Sequence, residues 1–377
     1  MKSVNVCLEH RFYEYEGKLY TKLAFSYSYW SDYLQYFDSV NIVARVKKVE
    51  VYDELFSRVD GYNVTFTPVP YYVGIKQFIK SIFKLILTAA KVSNNYGGFI
   101  LRTGNVSNLI WLFLMLKRRP YLREYPGNIE QGILGFVGDK WYTKSLAKLL
   151  NYLAKTQGRF SVANSFVSKD CSLIYGSSKP GYIFSSFNSQ ETRKFRVIST
   201  RDTLDTVVFV GRLEGEKGHL NFLNSIVEDC ELRNLDYVFI GDGSKKLQLE
   251  KFALQHGVNA RFYGAITDRE KMFGLISSAD LYCIPSLTEG MPRSLLEAMS
   301  LGLPCIGSNV GGIPEVLEKD ALFEPLDSES ILTVLRNFKS KVVRKKNANR
   351  NYSYVMEHYS IEALNEKKIM YWSSLYE

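Results

Sequence analysis

Residues 280–297 read DLYCIPSLTEGMPRSLLE and predict a buried strand, a loop and the start of a helix. The apolar run after Asp280 is typical of a strand in a parallel sheet, and Pro292 suits the first turn of a helix. Glu289 then lies on the loop at the carboxyl end of the strand. Glu297 lies one to two turns into the helix and can point toward the same crevice.

The helix start between the two glutamates offers free backbone N–H groups, which favour a phosphate. These groups would together fit a nucleotide sugar. One carboxylate would bind the sugar hydroxyls, the amides would bind the phosphate, and the second carboxylate would bind the ribose. An acidic loop followed by a solvated helix glutamate is the alternative that this spacing alone leaves open.

Two cations follow another predicted strand. Residues 206–213 read TVVFVGRL, so the strand ends in Gly211-Arg212, and Lys217-Gly218 then opens a helix. Both cations would face one anion at the carboxyl edge of a parallel sheet, where open α/β folds bind ligands. Arginine offers a planar fork for phosphate oxygens and lysine a compact charge. Each alone would usually be a surface cation, but with the glutamate pair they predict an anion site.

The order of these motifs, together with FIGDG at residues 239–243 and VGGIPE at residues 310–315, resembles the retaining family-4 glycosyltransferases. The resemblance covers roughly residues 206–325. It implies an α/β protein with the GT-B fold, in which two Rossmann-like domains with parallel sheets face each other across a cleft. Before residue 206 only the layout of strands and helices supports it.

The resemblance implies that the second domain binds a nucleoside-diphosphate sugar. Arg212 and Lys217 would stabilise the diphosphate as leaving group, and Glu289 would orient the donor sugar, so these three are the predicted catalytic residues. Glu297 would accept hydrogen bonds from the ribose. The other predicted donor-binding residues are Gly211, Gly264, Ala265, Ile266, Gly290, Met291, Ser294 and Leu295.

Such enzymes retain the anomeric configuration through a front-face mechanism in which a donor phosphate oxygen takes the acceptor proton. The resemblance implies no metal and no other cofactor, since the two cations serve at the diphosphate. The four histidines and five cysteines also lack metal-binding spacing, and we expect reduced thiols in a cytosolic protein.

The first half departs from the family pattern. Many relatives carry a glycine-rich loop after the first strand and a histidine after the fourth or fifth strand. Here Glu9 and a predicted hairpin over residues 11–22 replace the loop, and the role of that histidine is not transferred. The residues that we predict to line the acceptor side, each with a structural role as the alternative, are His10, Arg102, Asn105 and Glu124.

A chain of 377 residues exceeds a comfortable single core, which favours two domains. We predict a first domain over residues 1–195 and a nucleotide-sugar domain over residues 196–357. The terminal helix, within residues 358–377, is expected to pack back on the first domain. We expect the N-terminus to be a strand and not a signal peptide, and the longest apolar run, residues 109–116, is too short to span a bilayer.

Residues 1–200 contain 27 Lys and Arg against 14 Asp and Glu, whereas residues 201–377 carry a net charge of −4. Two predicted helices in the basic half, over residues 76–91 and 139–155, each bear four lysines on one face and apolar residues on the other. These rows predict adhesion to an anionic membrane surface, with the apolar faces packed into the domain. Ordinary surface helices with solvated lysines are the alternative.

The sequence therefore predicts a glycosyltransferase that passes a sugar to a lipid-linked oligosaccharide during synthesis of a bacterial surface polysaccharide, at the inner face of the cytoplasmic membrane. A soluble enzyme acting on a free sugar or sugar phosphate is the alternative. A nucleic-acid-binding protein is a remote one, because no recognisable nucleic-acid module accompanies the charge.

Overall fold

A computed structural model describes residues 1–22, 24–137, 140–185, 187, 192–195 and 201–377. Two sheets organise the chain, one of nine strands within residues 3–183 and one of six strands within residues 206–323. The boundary predicted at residue 195 adjoins positions outside the described ranges, and it stays a prediction.

The first sheet is parallel except for two short strands at one end. Its parallel strands follow the order β5-β3-β1-β6-β7-β8-β9, and β2 and β4 extend it beside the second half of β1. The strands are β1 (Ser3–Tyr15), β2 (Lys18–Thr21), β3 (Ser39–Lys48), β4 (Ser57–Arg58), β5 (Val64–Val69), β6 (Gly98–Leu101), β7 (Tyr121–Tyr125), β8 (Asn164–Phe166) and β9 (Gly181–Ile183). The helices are α1 (Tyr27–Ser31), α2 (Gly74–Val92), α3 (Asn105–Leu116), α4 (Ile129–Val137), α5 (Trp141–Phe160) and α6 (Lys169–Tyr175).

The predicted hairpin after the first strand is confirmed. Strands β1 and β2 pair antiparallel, with Tyr13 opposite Tyr20. Glu16 and Gly17 both have positive φ, 49° and 72°, as a two-residue turn of this kind requires.

The second sheet is entirely parallel, in the order β12-β11-β10-β13-β14-β15. Its strands are β10 (Thr206–Val210), β11 (Asp236–Ile240), β12 (Ala260–Phe262), β13 (Leu281–Ile284), β14 (Cys305–Ser308) and β15 (Leu322–Phe323). The later helices are α7 (His219–Ile226), α8 (Cys230–Arg233), α9 (Lys246–His256), α10 (Arg269–Ser277), α11 (Arg293–Ser300), α12 (Ser328–Asn337), α13 (Lys341–His358) and α14 (Ile361–Ser373). This is the doubly wound order, and it places the ligand crevice between β10 and β13, where the strand order reverses.

Stacked aromatic rings fill the core of the second sheet. The ring centroids of Phe209 and Phe239 lie 4.6 Å apart, and those of Phe239 and Phe262 lie 4.7 Å apart. The three phenylalanines come from adjacent parallel strands, so the rings stack in register across the sheet. The rings therefore hold β10, β11 and β12 together beside the crevice.

The terminal helix α14 contacts the first sheet's side of the molecule. Trp372 is buried with its ring 4.9 Å from that of Tyr33, and Lys368 pairs with Asp32 at 3.3 Å. The Tyr376 hydroxyl donates to the Ser3 carbonyl at 2.6 Å. These contacts tie the end of the chain to its beginning.

The two lysine-bearing helices do not pack as expected. In α2 the buried stripe consists of Leu85, Ala89 and Val92, and in α5 it consists largely of small or polar side chains. In each helix only this narrow stripe packs against the rest of the domain, and part of the helix's apolar face stays uncovered. The expectation that these faces are buried is therefore wrong for Ile79, Ile86, Tyr142, Leu146 and Leu149, which are exposed. In the described ranges, no helix is both long and apolar enough to cross a bilayer.

Candidate donor site in the interdomain cleft

A cavity of about 520 Å³ lies between the carboxyl edges of the two sheets. The second sheet's side contributes Arg212, Glu216, Lys217, Thr288, Glu289 and Gly290. The first sheet's side contributes polar residues from the starts of α3 and α4 and an apolar floor from α4 and α5. The three predicted catalytic residues, Arg212, Lys217 and Glu289, therefore line one cavity.

Lys217 reaches the cavity because Gly218 turns the chain sharply after it. Gly218 has a φ of 68°, and a Cβ there would lie 1.9 Å from the Pro285 carbonyl oxygen. The turn after β10 is thereby held against the loop after β13. Lys217 Nζ pairs with Glu289 Oε1, which also accepts a hydrogen bond from Ser286 Oγ at 2.8 Å. The predicted phosphate-binding cation and the predicted sugar-binding carboxylate thus hold each other in place.

The Glu289–Gly290 loop rests on the two glycines of the VGGIPE motif. The Gly312 N–H donates to the Gly290 carbonyl at 2.7 Å. Gly311 has a φ of 55°, and a Cβ there would lie 1.9 Å from the Glu289 carbonyl oxygen. The motif therefore supports the Glu289–Gly290 loop, a role that its sequence alone did not reveal.

Arg212 is the more exposed of the two cations. Its guanidinium donates to Glu216 Oε1 at 2.7 Å, and its side chain is 58% exposed. The preceding Gly211 donates its N–H to the Ile240 carbonyl at 3.0 Å, which fixes the end of β10 beside β11. Arg212 can therefore swing toward an anion in the cavity without disturbing the strand.

Glu297 is buried and lies outside the lining of the 520 Å³ cavity. Its Oε1 accepts from Arg269 at 2.7 Å and lies 3.4 Å from Arg293 Nε. Sequence reasoning missed both arginines. The pairing of Arg293 with Glu297 could have been predicted, because the two residues are four apart on one helix. The pairing of Arg269 could not, because Arg269 lies on the preceding helix. The proposed contact of Glu297 with ribose stays a prediction.

The start of α11 and the loop after β12 carry the remaining predicted donor residues. Ser294 Oγ is bonded to the Tyr282 hydroxyl at 2.8 Å, and the Leu295 N–H donates to the Pro292 carbonyl at 3.2 Å. Gly264 accepts from the Gly241 N–H at 2.8 Å, which places the loop beside β11. The predicted donor residues that do not line the cavity are Gly211, Gly264, Ala265, Ile266, Met291, Ser294, Leu295 and Glu297.

Of the predicted acceptor-side residues, Asn105 lines the cleft. Arg102 and Glu124 form a 3.2 Å ion pair and line a second, smaller cavity of about 80 Å³. Burial raises the pKa of Glu124. His10 lines neither cavity, since its ring packs edge-on against Phe12 and its Nε2 lies 3.3 Å from Thr21 Oγ1. Burial, with Arg45 nearby, lowers the pKa of His10 to about 4.

Sequence reasoning missed three carboxamides on the first sheet's wall, namely Asn108, Asn128 and Gln131. A signal was present for Asn128, because it follows β7 and its Oδ1 accepts from the Gln131 N–H at the start of α4. Glu9, on β1, also lines the cavity, and its Oε2 accepts from the Val106 N–H at 2.9 Å. The Glu9 carboxylate, which caps α3, thus lies where many relatives have a glycine-rich loop.

The two walls contact each other across the cleft. The Glu315 carboxylate accepts from the N–H groups of Lys169 at 2.8 Å and Asp170 at 2.7 Å, in the first turn of α6. Thr288 Oγ1 is bonded to Gln131 Oε1 at 2.8 Å. Glu315 lies three residues after Gly312, so one short segment supports the Glu289 loop and binds the opposite wall.

Part of the chain matches a known protein family. The model for "Glycosyl transferases group 1" matches residues 190–354. Protein CapJ from Staphylococcus aureus is 29% identical over 372 residues, which cover 93% of this chain and 92% of that protein. An Escherichia coli enzyme, "UDP-Gal:alpha-D-GlcNAc-diphosphoundecaprenol alpha-1,3-galactosyltransferase", is 32% identical over 123 residues, about a third of each chain (32% and 32%).

The fold is shared over the full length with solved structures. Sucrose-phosphate synthase from Thermosynechococcus elongatus superposes with a TM-score of 0.75 at 14% identity and covers 100% of this chain and 99% of its own. At this identity the likeness establishes the fold alone. The resemblance predicted from the motifs is confirmed in both respects: residues 190–354 match the group 1 glycosyltransferases, and the chain has the GT-B fold.

Proposed function

We propose that this glycosyltransferase moves a hexosyl group, with retention of configuration, from a nucleoside-diphosphate sugar to a lipid-linked oligosaccharide of a bacterial surface polysaccharide. One observation carries the proposal: Arg212, Lys217 and Glu289 line one wall of a cavity whose other wall belongs to the first sheet. Cations beside a carboxylate fit a sugar diphosphate. The Escherichia coli relative is named for a UDP-sugar donor and an undecaprenol-linked acceptor, and this supports the same substrate classes.

In the proposed reaction, the bond between the anomeric carbon and the diphosphate oxygen breaks while an acceptor hydroxyl attacks from the same face. The acceptor proton passes to the departing phosphate oxygen. Lys217 and Arg212 would stabilise the charge that develops on the diphosphate. Such electrostatic stabilisation is usually the largest contribution to catalysis of a transfer of this kind. Glu289 would hold the sugar hydroxyls from its supported loop.

The proposal includes no metal ion or other cofactor. The two cations would replace a divalent ion at the diphosphate. We therefore expect transfer to persist in EDTA. Complete loss of activity that magnesium or manganese restores would contradict this part of the proposal.

Thermal-shift measurements against UDP-, GDP-, ADP- and dTDP-sugars test the donor class. A ligand at ~100 times its dissociation constant adds ~2.7 kcal/mol to the free energy of unfolding and raises the melting temperature visibly. NMR of the product made with the best donor then reports the anomeric configuration. Inversion at the anomeric carbon would refute retention, and no shift with any donor would refute the donor site.

We further propose that the enzyme binds the inner face of the cytoplasmic membrane as a peripheral protein. The exposed faces of α2 and α5 combine lysines with large apolar side chains, among them Phe83, which is 80% exposed, and Trp141, which is 79% exposed. Lysines near anionic lipid contribute ~1 kcal/mol each, and apolar side chains favour insertion at the interface. Helix α5 also lines the cleft through Leu150 and Ala154, so an acceptor on a lipid could reach the site from this surface.

Flotation with liposomes tests the membrane proposal. Charge reversal at Lys76, Lys80 and Lys84 and, separately, Phe83→Ser should each release the protein from anionic vesicles. Reversal of the exposed Lys251, on the second sheet's side, is the matched control. Equal binding by all variants, or no binding of wild type at low salt, would contradict the proposal and favour the soluble alternative. The nucleic-acid alternative is not retained, because the chain is a glycosyltransferase.

A further inference from the structure

Three carboxamides on the first sheet's wall of the cleft have their oxygens already engaged. Gln157 Nε2 donates to Asn108 Oδ1 at 2.9 Å, and the Gln131 N–H donates to Asn128 Oδ1 at 3.1 Å. Thr288 Oγ1 donates to Gln131 Oε1 at 2.8 Å. A carboxamide has two N–H donors besides its oxygen. Among the hydrogen bonds of the described part of the chain, none uses the three amide NH2 groups, so this wall presents neutral donors.

The charged groups of the same wall are occupied. Glu9 accepts from the Val106 N–H at 2.9 Å and lies 3.5 Å from Arg45. Arg123 is buried and donates to the carbonyl oxygens of Leu101 at 2.8 Å and Glu124 at 3.1 Å. Across the cavity, the two cations are paired with carboxylates and serve the donor. An acidic sugar at this wall would therefore find no cation of its own and would lie near Glu9.

An apolar floor lies beside the carboxamides. Ile129, Ile133, Leu150 and Ala154 line the same cavity. The C–H face of a pyranose ring packs on such a surface, while its hydroxyl oxygens accept hydrogen bonds from amide groups. The wall therefore provides both kinds of contact that an uncharged sugar ring needs.

We propose that Asn108, Asn128 and Gln131 form the acceptor subsite and select an uncharged sugar over a uronic acid or a sugar phosphate. The inference rests on the proposed function and specifies the substrate class of the same cleft. In this proposal the three carboxamides contact the acceptor in place of Arg102 and Glu124. Those two residues pair with each other in the smaller cavity.

The variants Asn128→Asp and Gln131→Glu test the subsite. Each preserves size and keeps an oxygen, so the carboxylate introduced at position 128 still caps α4 and the one introduced at position 131 still accepts from Thr288. Each replaces an NH2 donor with a negative charge. We expect kcat/KM for uncharged acceptors to fall at least about tenfold, as the loss of a hydrogen bond of ~1.4 kcal/mol requires. Gln255→Glu, an exposed carboxamide on α9, is the matched control.

The probes are octyl glucoside, octyl galactoside and octyl N-acetylglucosaminide against octyl glucuronide and glucose 6-phosphate. Binding is measured by saturation-transfer NMR with the donor nucleotide present, and transfer is measured beside it. Wild type should bind an uncharged glycoside better than either anion, and the two variants should lose that binding. A preference of wild type for an anion, no glycoside binding at all, or unchanged binding by both variants would overturn the subsite.

Calorimetry with the nucleoside diphosphate separates this proposal from the proposed function. Both variants should bind the nucleotide as wild type does, because the altered side chains lie on the opposite wall. If the nucleotide binds normally and the acceptor results fail, only the subsite is wrong. If wild type binds no nucleotide, the proposed function fails and the subsite fails with it.

Discussion

The two walls of the cleft place their site residues in different ways. On the second sheet's wall, Lys217, Glu289 and Gly311 each follow closely after the end of a strand, so local sequence determines where they lie. On the first sheet's wall, Asn108 lies inside α3, and its side chain reaches the cleft through the packing of that helix against Gln157. The second sheet's wall is built from short motifs at strand ends, whereas the first sheet's wall adds helix positions such as Asn108 to the strand-end residues Asn105 and Asn128. This difference explains why motif reasoning identified Lys217 and Glu289 but missed Asn108.

The first prediction concerns the two cations, Lys217 and Arg212, and it would sharpen the comparison. Lys217→Ala should reduce turnover roughly 10- to 100-fold, because a partly buried charge-assisted contact contributes ~1.5–3 kcal/mol. Arg212→Ala should reduce turnover less, since its side chain is 58% exposed, against 20% for Lys217. Steady-state kinetics with circular dichroism as a folding check measures both. Unchanged turnover in both variants would remove the diphosphate role, and Lys251→Ala is the control.

The second prediction separates the roles of Glu289 and Glu297. Glu289→Ala should abolish transfer but spare binding of the nucleoside diphosphate, because it removes the carboxylate paired with Lys217 and leaves the cation free for phosphate. Glu297→Ala should weaken nucleoside-diphosphate binding about tenfold, as the loss of ~1.4 kcal/mol requires. Calorimetry decides between them. Equal losses of nucleotide affinity would mean that the two carboxylates do not divide sugar and ribose.

The third prediction concerns Glu315, which joins the two walls. Glu315→Gln leaves one oxygen acceptor for two amides of α6, so kcat should fall roughly 3- to 10-fold, as expected for ~0.5–1.5 kcal/mol. Nucleotide affinity should stay unchanged, because Glu315 does not line the 520 Å³ cavity. Glu318→Gln, which alters a carboxylate 3.8 Å from Arg350, is the control. Wild-type kcat in Glu315→Gln would show that the walls need no such contact.

The smallest effect is on acid stability and concerns the core behind the donor wall. Burial lowers the pKa of His219 from 6.5 to about 3, with Lys217 adding to the effect. As pH falls below 6.5, the unfolded chain binds a proton that the folded chain does not, so stability is lost between about pH 6.5 and 3. His219→Phe should fit between Phe209 and Phe239 and flatten this part of the melting-temperature profile. An unaltered profile would count against the burial of a neutral imidazole, and the exposed His358→Phe is the control.

The sequence by itself determined the second sheet and the strand-end positions of Arg212, Lys217 and Glu289. Each predicted strand there is found within a few residues, because buried parallel strands are continuous apolar runs and their carboxyl ends meet at one edge. The sequence motifs included Gly218 and Gly311. They did not predict the close backbone contacts that require a glycine at these two positions.

Tertiary structure decided what depends on partners distant in the chain. The pairing of Lys217 with Glu289, the support of that loop by Gly311 and the hold of Arg269 on Glu297 all join segments that no local pattern connects. The exposure of the apolar faces of α2 and α5 was likewise decided there. An amphipathic pattern shows that a helix has an apolar face, but only the neighbouring elements determine how much of that face they cover.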